Sequence, residues 1–484
     1  MFTLTLLIIP IVTALIVLII NAENAKKIAL VGALANFGVA LAAWLQFSTD
    51  SAVQFASSYD WLPAAGIKFS VGMDGISLLL VMLTAILIPV IILSSYNHNY
   101  KNPSAFYSLI LFMQTGLIGV FAAQDAVLFY FFWEVALIPV YFIAAVWGGE
   151  KRIAVTFKFF VYTIFGSLFM LLGLVYLYFQ TEGTHSAALL DLYKLSATLS
   201  ATEQTWIFWA LFLAFAIKMP VFPFHTWQPD TYTESPTPAT MLLSGIMLKM
   251  GLYGVIRWLL PIVPLAIETW GMTVMILSVI GIVYGSIIAL QQKDIKRLIA
   301  YSSFAHVGLM SAGIFSGTIE GLQGAMIQMF AHGINVVGLF LIVEAIYARV
   351  GTRELANLGG ITQNTPNMTV MFAILMLGSV ALPLTNGFVG EFMLLLGIYK
   401  FNMWYGIIAG TTIILGAAYM LRMFQGTMFG EQTKYTKSIT DLNLPEKLAL
   451  FPLIVLVFWV GMYPSTFLKV TEPAVANLMS LLSK

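Results

Sequence analysis

Apolar runs long enough to cross a lipid bilayer follow one another along this chain with little between them, and that feature removes most folds from consideration. In oil a backbone N–H or C=O has no water to bond, so only helices or closed barrels can span. Runs of about 17 to 25 apolar residues have the length of a spanning helix, whereas a barrel strand needs about 9 to 11. The runs predict an all-α polytopic membrane protein with roughly fourteen transmembrane helices. Their centres fall near residues 11, 38, 84, 113, 136, 165, 214, 247, 280, 307, 335, 382, 414 and 459. The composition agrees: 60% of the residues are hydrophobic and 9% charged. The first run lacks a basic start and a small-residue cleavage site, so it reads as a retained helix rather than a signal peptide.

The basic residues set an expected orientation. With the N-terminus outside, Lys26, Lys27, Lys101, Lys151, Arg152, Lys293, Lys296, Arg297, Arg349, Arg353, Arg422, Lys434, Lys437 and Lys447 fall on the cytoplasmic side. Lys68, Lys194, Arg257, Lys400, Lys469 and Lys484 fall opposite, a minority. Positive-inside bias of this kind predicts an even number of spans with both termini outside. The longest polar segments, around residues 48 to 72, 180 to 204 and 427 to 448, are too short for a soluble domain. Residues 1–484 are therefore expected to form a single membrane domain that carries the function inside the bilayer.

Several chemistries are excluded. The chain has no cysteine, hence no disulfide, zinc-thiolate site or iron-sulfur cluster. Its five histidines show neither HxH nor HExxH spacing, and no phosphate-binding glycine motif is present. A net charge of +1 gives no reason to expect nucleic acid.

What remains are polar residues where none should be. Glu134 in FYFFWEVALIPVYF, Lys218 in AFAIKMPVF, Lys249 in GIMLKMGLY and Glu391 in NGFVGEFMLLLG lie well inside apolar runs. At roughly 3 kcal/mol each on the insertion scale, four isolated charges would cost on the order of 10 kcal/mol. They must be paired, neutralised or hydrated. Desolvation disfavours the charged form of a side chain, so such groups can exchange protons near neutral pH, the requirement for a proton relay. A structural ion pair or a snorkelling lysine is the plainer reading of any one of them, and Lys158 fits the latter. His306 and His332 occupy consecutive spans. Ser302, Ser303, Gln328 and Asn335 lie within one or two turns of them, which puts polar stripes on otherwise apolar helices. A helix-to-helix hydrogen bond is the alternative for either histidine alone.

Prolines supply a second pattern. Pro220 and Pro223 interrupt the run with Lys218, and ALPLTNGFVGE interrupts the run with Glu391. Irregular backbone at membrane depth survives only beside protein or water. Two broken helices, each beside a buried charge, are the pattern of transporters with internal repeats.

The segments FFWEVALIPVYFI, AFAIKMPVFPFHTWQPDTYTESPTPATMLLSGIMLKMGLYG, QQKDIKRLIAYSSFAHVG, MFAHGINVVGLF and NGFVGEFMLLLG together resemble the antiporter-like proton-pumping subunits of respiratory complex I, NADH:quinone oxidoreductase. The resemblance covers nearly the whole chain. Within the group it is similar to the M type, subunit 4 in mitochondria, because Glu391 stands where the sister L and N types usually carry lysine.

This resemblance implies N-terminal helices 1–3 over residues 1–96, then two inverted five-helix repeats, 104–258 and 270–426, each with a broken helix, and helix 14 over 449–469. It implies a midplane proton relay of Glu134, Lys218, Lys249, His306, His332 and Glu391, in which Glu134 pairs with Lys218, coupled to electron transfer in other subunits. It further implies no cofactor in this chain. The expected partners are other membrane-arm subunits, including L and N types, and the lipid bilayer; the expected location is a bacterial inner membrane with periplasmic termini. His225 and Asp230, after the first break, are candidates for proton uptake or for anchoring the loop. Asp74 reads as a helix cap, Glu344 as interfacial, and Lys293 to Arg297 as a topology signal or a contact with neighbouring subunits. The competing readings are an Mrp-type sodium/proton antiporter subunit and a quinone-binding or structural scaffold.

Overall fold

The computed structural model describes residues 1–183 and 185–482, so Lys484 lies outside the described residues. Six long helices come first: α1 (Phe2–Ile19), α2 (Ala22–Gln46), α3 (Gly75–Ser94), α4 (Pro103–Ala122), α5 (Ala126–Trp147) and α6 (Arg152–Gln180). The short α7 (Leu189–Lys194) leads to α8 (Ala201–Lys218) and α9 (Trp227–Glu234). A continuous helical stretch follows, with α10 (Thr237–Leu242) and α11 (Leu248–Gly254) joined by the π-helical turn Leu243–Met247. Then come α12 (Pro264–Gln291), α13 (Ile295–Phe315), α14 (Ile319–Val350), α15 (Pro366–Ser379), α16 (Asn386–Phe401), α17 (Met403–Met428), α18 (Leu444–Met462) and α19 (Ser465–Leu482).

Side chains close the helix starts, where backbone N–H groups lack helical partners. Asp74, Asp125 and Asp294 accept from the first turns of α3, α5 and α13. Ser200 with Glu203, and Asn443 with Glu446, form capping boxes on α8 and α18. Twelve helices among the described residues are long and apolar enough to cross a membrane. The other two expected spans, near 214 and 382, are split into α8 with α9 and α15 with α16. The breaks fall at the prolines, which cannot donate the bonds that would continue a helix.

One feature goes beyond the expected helices and one boundary needs correction. Strands β1 (Gln54–Leu62) and β2 (Ile67–Met73) pair antiparallel in the polar segment near 48 to 72, with Asp60 opposite Lys68 and Gly66 turning at φ 63°. A hairpin satisfies its own backbone over a few residues, so a search for long apolar runs passes over it. The helix expected over 449–469 ends at Met462, and Pro464 separates it from α19, which packs on α3 and α14.

Burial sorts the spans into two kinds. The apolar windows of α1, α2, α6, α17 and α18 are 33–39% buried, so most of their residues face outward. Those of the stretch 237–259 and of α14 are fully buried, and that of α13 is 94% buried. Lys249, His306 and His332 sit on these central helices. Charge is therefore kept from lipid by other helices, which is what an intramembrane ionisable group requires.

Candidate functional site

α8 stops at Lys218 because Pro220 and Pro223 follow. The carbonyl of Ile217, deprived of its helical donor, accepts from the indole N–H of Trp227 at 2.9 Å. A Cβ on Gly251 would stand 2.7 Å from the Phe215 carbonyl, so α11 rests directly on the last turn of α8. Lys218 is 1% exposed, and its Nζ has no hydrogen-bond partner. The ammonium lies over the indole ring of Trp133, 5.1 Å from its centre. Such a contact is worth about 2 kcal/mol when desolvated.

Trp133 immediately precedes Glu134 on α5. Lys218 and Glu134 do not form the expected ion pair, however, since Lys218 Nζ and Glu134 Oε1 both lack hydrogen-bond partners. Trp133 occupies the ammonium instead. Sequence reasoning missed Trp133, although its position beside an intramembrane glutamate was a usable signal.

The remaining four relay candidates are brought together. Lys249 Nζ donates to the Ser244 carbonyl at 2.6 Å, at the π-helical turn, and lies 3.0 Å from Nδ1 of His332. The His332 ring is 5.8 Å from that of His306, centre to centre. His306 Nε2 is 3.1 Å from a Glu391 carboxylate oxygen and 3.2 Å from the Ser379 carbonyl, which the second break leaves free. His306 Nδ1 lies 2.7 Å from the Ser302 carbonyl, so Nδ1 carries a proton as donor. The His306–Glu391 contact then holds one more proton, on the imidazole or on the carboxyl.

Between the histidines lies a cavity lined by Ser302, Ser303, His306, Gln328, His332 and Asn335, the polar stripes expected from spacing. Its volume is about 10 Å³, room for about one water centre. His332 Nε2 has no protein partner. Asn335 donates to Asn386 at 3.0 Å and ties α14 to the start of α16. A Cβ on Gly387 would come 2.1 Å from the Gly378 carbonyl, so the broken halves approach through glycine.

Continuity thus runs from Lys249 to Glu391. Lys218 Nζ makes no hydrogen bond, so none joins it to Lys249. Chemically the row can accept a proton on the lysine amine, pass it through the two nitrogens of His332, and deliver it to the His306–Glu391 pair. Among the described residues no group of three or more His, Asp or Glu side chains is arranged to hold a metal ion.

His225 and Asp230 stand apart. His225 is buried against Phe304, Phe222 and Tyr284, with ring centres 4.3, 5.8 and 5.3 Å away. Asp230, on α9, binds Lys158 at 3.0 Å and Arg297 at 2.9 Å, bracketing α6, α9 and α13. Lys158 is thus an ion-pair partner that also donates to the Thr226 carbonyl at 2.8 Å. These pairs are part-exposed, so Asp230→Asn should cost about 1 kcal/mol or less and leave proton uptake unchanged. Thermal unfolding of the assembled complex and vesicle acidification would measure both.

Asp74 caps α3 as expected and also binds Arg257 at 2.5 Å, a buried ion pair that sequence reasoning missed.

Comparison with known proteins gives this geometry a setting. The family model described as NADH:quinone oxidoreductase/Mrp antiporter, transmembrane region, matches residues 123–416. The model for the amino terminus of NADH-ubiquinone oxidoreductase chain 4 matches residues 3–120. The chain is 41% identical over 480 residues to NADH-quinone oxidoreductase subunit M of Rickettsia conorii, covering 97% of each. Its fold matches a chain of respiratory complex I from Thermus thermophilus with a TM-score of 0.92 at 31% identity, over 100% of both chains. A chain of the Mrp complex from Dietzia shares the fold, with a TM-score of 0.86 at 21% identity, over 100% of this chain and 52% of that one.

Proposed function

Because the chain belongs to the NADH:quinone oxidoreductase/Mrp antiporter family, as a member of its subunit M or chain 4 type, we propose that Glu134, Lys218, Lys249, His306, His332 and Glu391 are its proton relay. The protein is a multi-pass, proton-translocating membrane-arm subunit of NADH:quinone oxidoreductase and works beside other membrane-arm subunits. In our reading it performs no redox chemistry itself, neighbours L and N types, and lies in a bacterial inner membrane with both termini on the periplasmic side. Residues 104–258 and 270–426 are its two inverted repeats, each containing one broken helix.

The observation that carries this reading is the line from Lys249 through His332 and the small cavity to His306 and Glu391. Lys218 and Glu134 form the switch beside it. At an effective dielectric of about 20, moving a unit charge to about 4 Å from an ammonium is worth roughly 4 kcal/mol. A modest approach or withdrawal of the Glu134 carboxylate is therefore enough to change whether Lys218 holds its proton.

The test compares native vesicles carrying Lys218→Met with unmodified vesicles at equal assembled protein, following NADH-driven quinone reduction and proton uptake together. Both should fall severalfold. If both persist unchanged in assembled complex, Lys218 is structural and the relay assignment fails at that residue.

A further inference from the structure

A groove of about 490 Å³ lies between the second half of α6 and the first half of α8, away from the row. Its floor is made of small residues: a Cβ on Gly173 would stand 3.3 Å from the Cβ of Ala210, so the two helices meet there. Its walls are large and exposed, with Phe169 and Leu172 on α6 and Trp206 on α8. The apolar window of α6 mostly faces outward, which puts the groove on the surface that meets lipid. An apolar hollow of this kind stays free of water, so a hydrocarbon chain or another protein segment must fill it.

One end of the groove is charged. Glu203, in the first turn of α8, stands there, and its Oε1 accepts from the Tyr176 phenol at 2.7 Å. Its Oε2 accepts from the Ser200 hydroxyl and, at 2.8 Å, from the Ser200 N–H. A carboxylate offers about four acceptor sites, so one remains open beside the negative charge. Among the described residues no lysine, arginine or histidine lines the groove. From Glu203 to Leu213, which lines the far end, α8 rises about 15 Å. That is half of the roughly 30 Å hydrocarbon core, the depth of one leaflet. Glu203 then stands at headgroup level, and Trp206, one turn further along, lies in the interfacial zone where tryptophan is favoured.

We propose that this groove binds one diacyl phospholipid whose headgroup carries a primary amine, with an acyl chain lying between α6 and α8 and the ammonium on Glu203. Lipid tails are as apolar as the side chains they would touch, so a tail gains little by leaving other tails. The headgroup therefore decides which lipid stays. A primary ammonium brings the opposite charge and an N–H for the open acceptor site, a charge-assisted hydrogen bond. A trimethylammonium headgroup brings the charge without a donor, and an anionic headgroup meets a carboxylate with no cation beside it. The site shares no residue with the proton relay, so it stands whether or not that reading does.

The test uses the assembled complex in lipid nanodiscs containing a phosphatidylethanolamine probe with a diazirine in its acyl chain. After illumination, mass spectrometry of peptides locates the label. The probe should label the facing segments of α6 and α8, and unlabelled phosphatidylethanolamine should compete at least fivefold better than phosphatidylcholine or phosphatidylglycerol. Glu203→Gln should abolish that preference. Ala210→Phe, which fills the floor, should remove the label from the groove and leave labelling of the outward face of α1 unchanged. Equal competition by all three lipids in unmodified complex would mean ordinary bilayer contact and overturn the proposal. Stronger competition by phosphatidylglycerol or phosphatidylcholine would overturn the amine assignment. Absence of label on α6 and α8, with the probe labelling α1, would show that a protein segment covers the groove. Should Glu203→Gln fail to assemble, the competition in unmodified complex and the Ala210→Phe variant still decide.

Discussion

In vesicles carrying Lys249→Met, quinone reduction and proton uptake should fall together by about tenfold, equivalent to about 1.4 kcal/mol on the barrier. Methionine keeps most of the lysine volume, and replacing a buried charge by a well-packed apolar side chain is often neutral for stability. The complex should therefore assemble at near-normal levels, which separates loss of the proton site from loss of the protein. What disappears is the donor held by the Ser244 carbonyl and placed 3.0 Å from His332.

A double variant gives the sharper reading. If Lys249 and His332 act in one line, His332→Phe added to Lys249→Met should slow the complex little further, because both remove the same route. Losses that multiply would mean that the two residues serve separate paths. Normal turnover in Lys249→Met, with assembly confirmed on a native gel, would remove Lys249 from the mechanism.

Asp74→Ala should give the largest loss of stability. Asp74 and Arg257 bind each other at 2.5 Å, with side chains only 4% and 11% exposed. Removing one partner leaves a buried guanidinium unpaired, which costs about 3–5 kcal/mol. The same aspartate caps α3 through the Ser77 N–H at 3.0 Å, worth about a further 1 kcal/mol. Asp74→Asn keeps a capping acceptor but loses the charge, so its loss should be intermediate. Asp74→Leu combined with Arg257→Met should recover much of the stability, since no unpaired charge remains. Thermal unfolding of the assembled complex, read beside its yield, measures the series. An unchanged midpoint for Asp74→Ala would show that Arg257 finds another partner.

Part of the site was legible because it violates the solvent. Glu134, Lys218, Lys249 and Glu391 stand out from apolar runs, and the prolines at 220, 223 and 383 mark where a helix must stop. Spacing within a single helix also placed Ser302 with His306 and Gln328 with His332, and the cavity between the histidines contains all four. The hairpin β1–β2 and the amphipathic α19 were invisible because the length criterion for a bilayer responds to neither.

Partnership across helices was not legible. Lys249 meets His332, His306 meets Glu391, and Asp74 meets Arg257 only after each helix has taken a rotation and a neighbour. The same packing set Trp133, rather than Glu134, against the Lys218 ammonium. Sequence alone determined that the chain crosses a membrane, that its backbone breaks twice, and which buried groups need compensation, because each follows from the cost of polar atoms in oil. Tertiary structure decided which groups supply that compensation. A residue's spacing fixes the face of its own helix, whereas the side chain opposite depends on how separate helices cross.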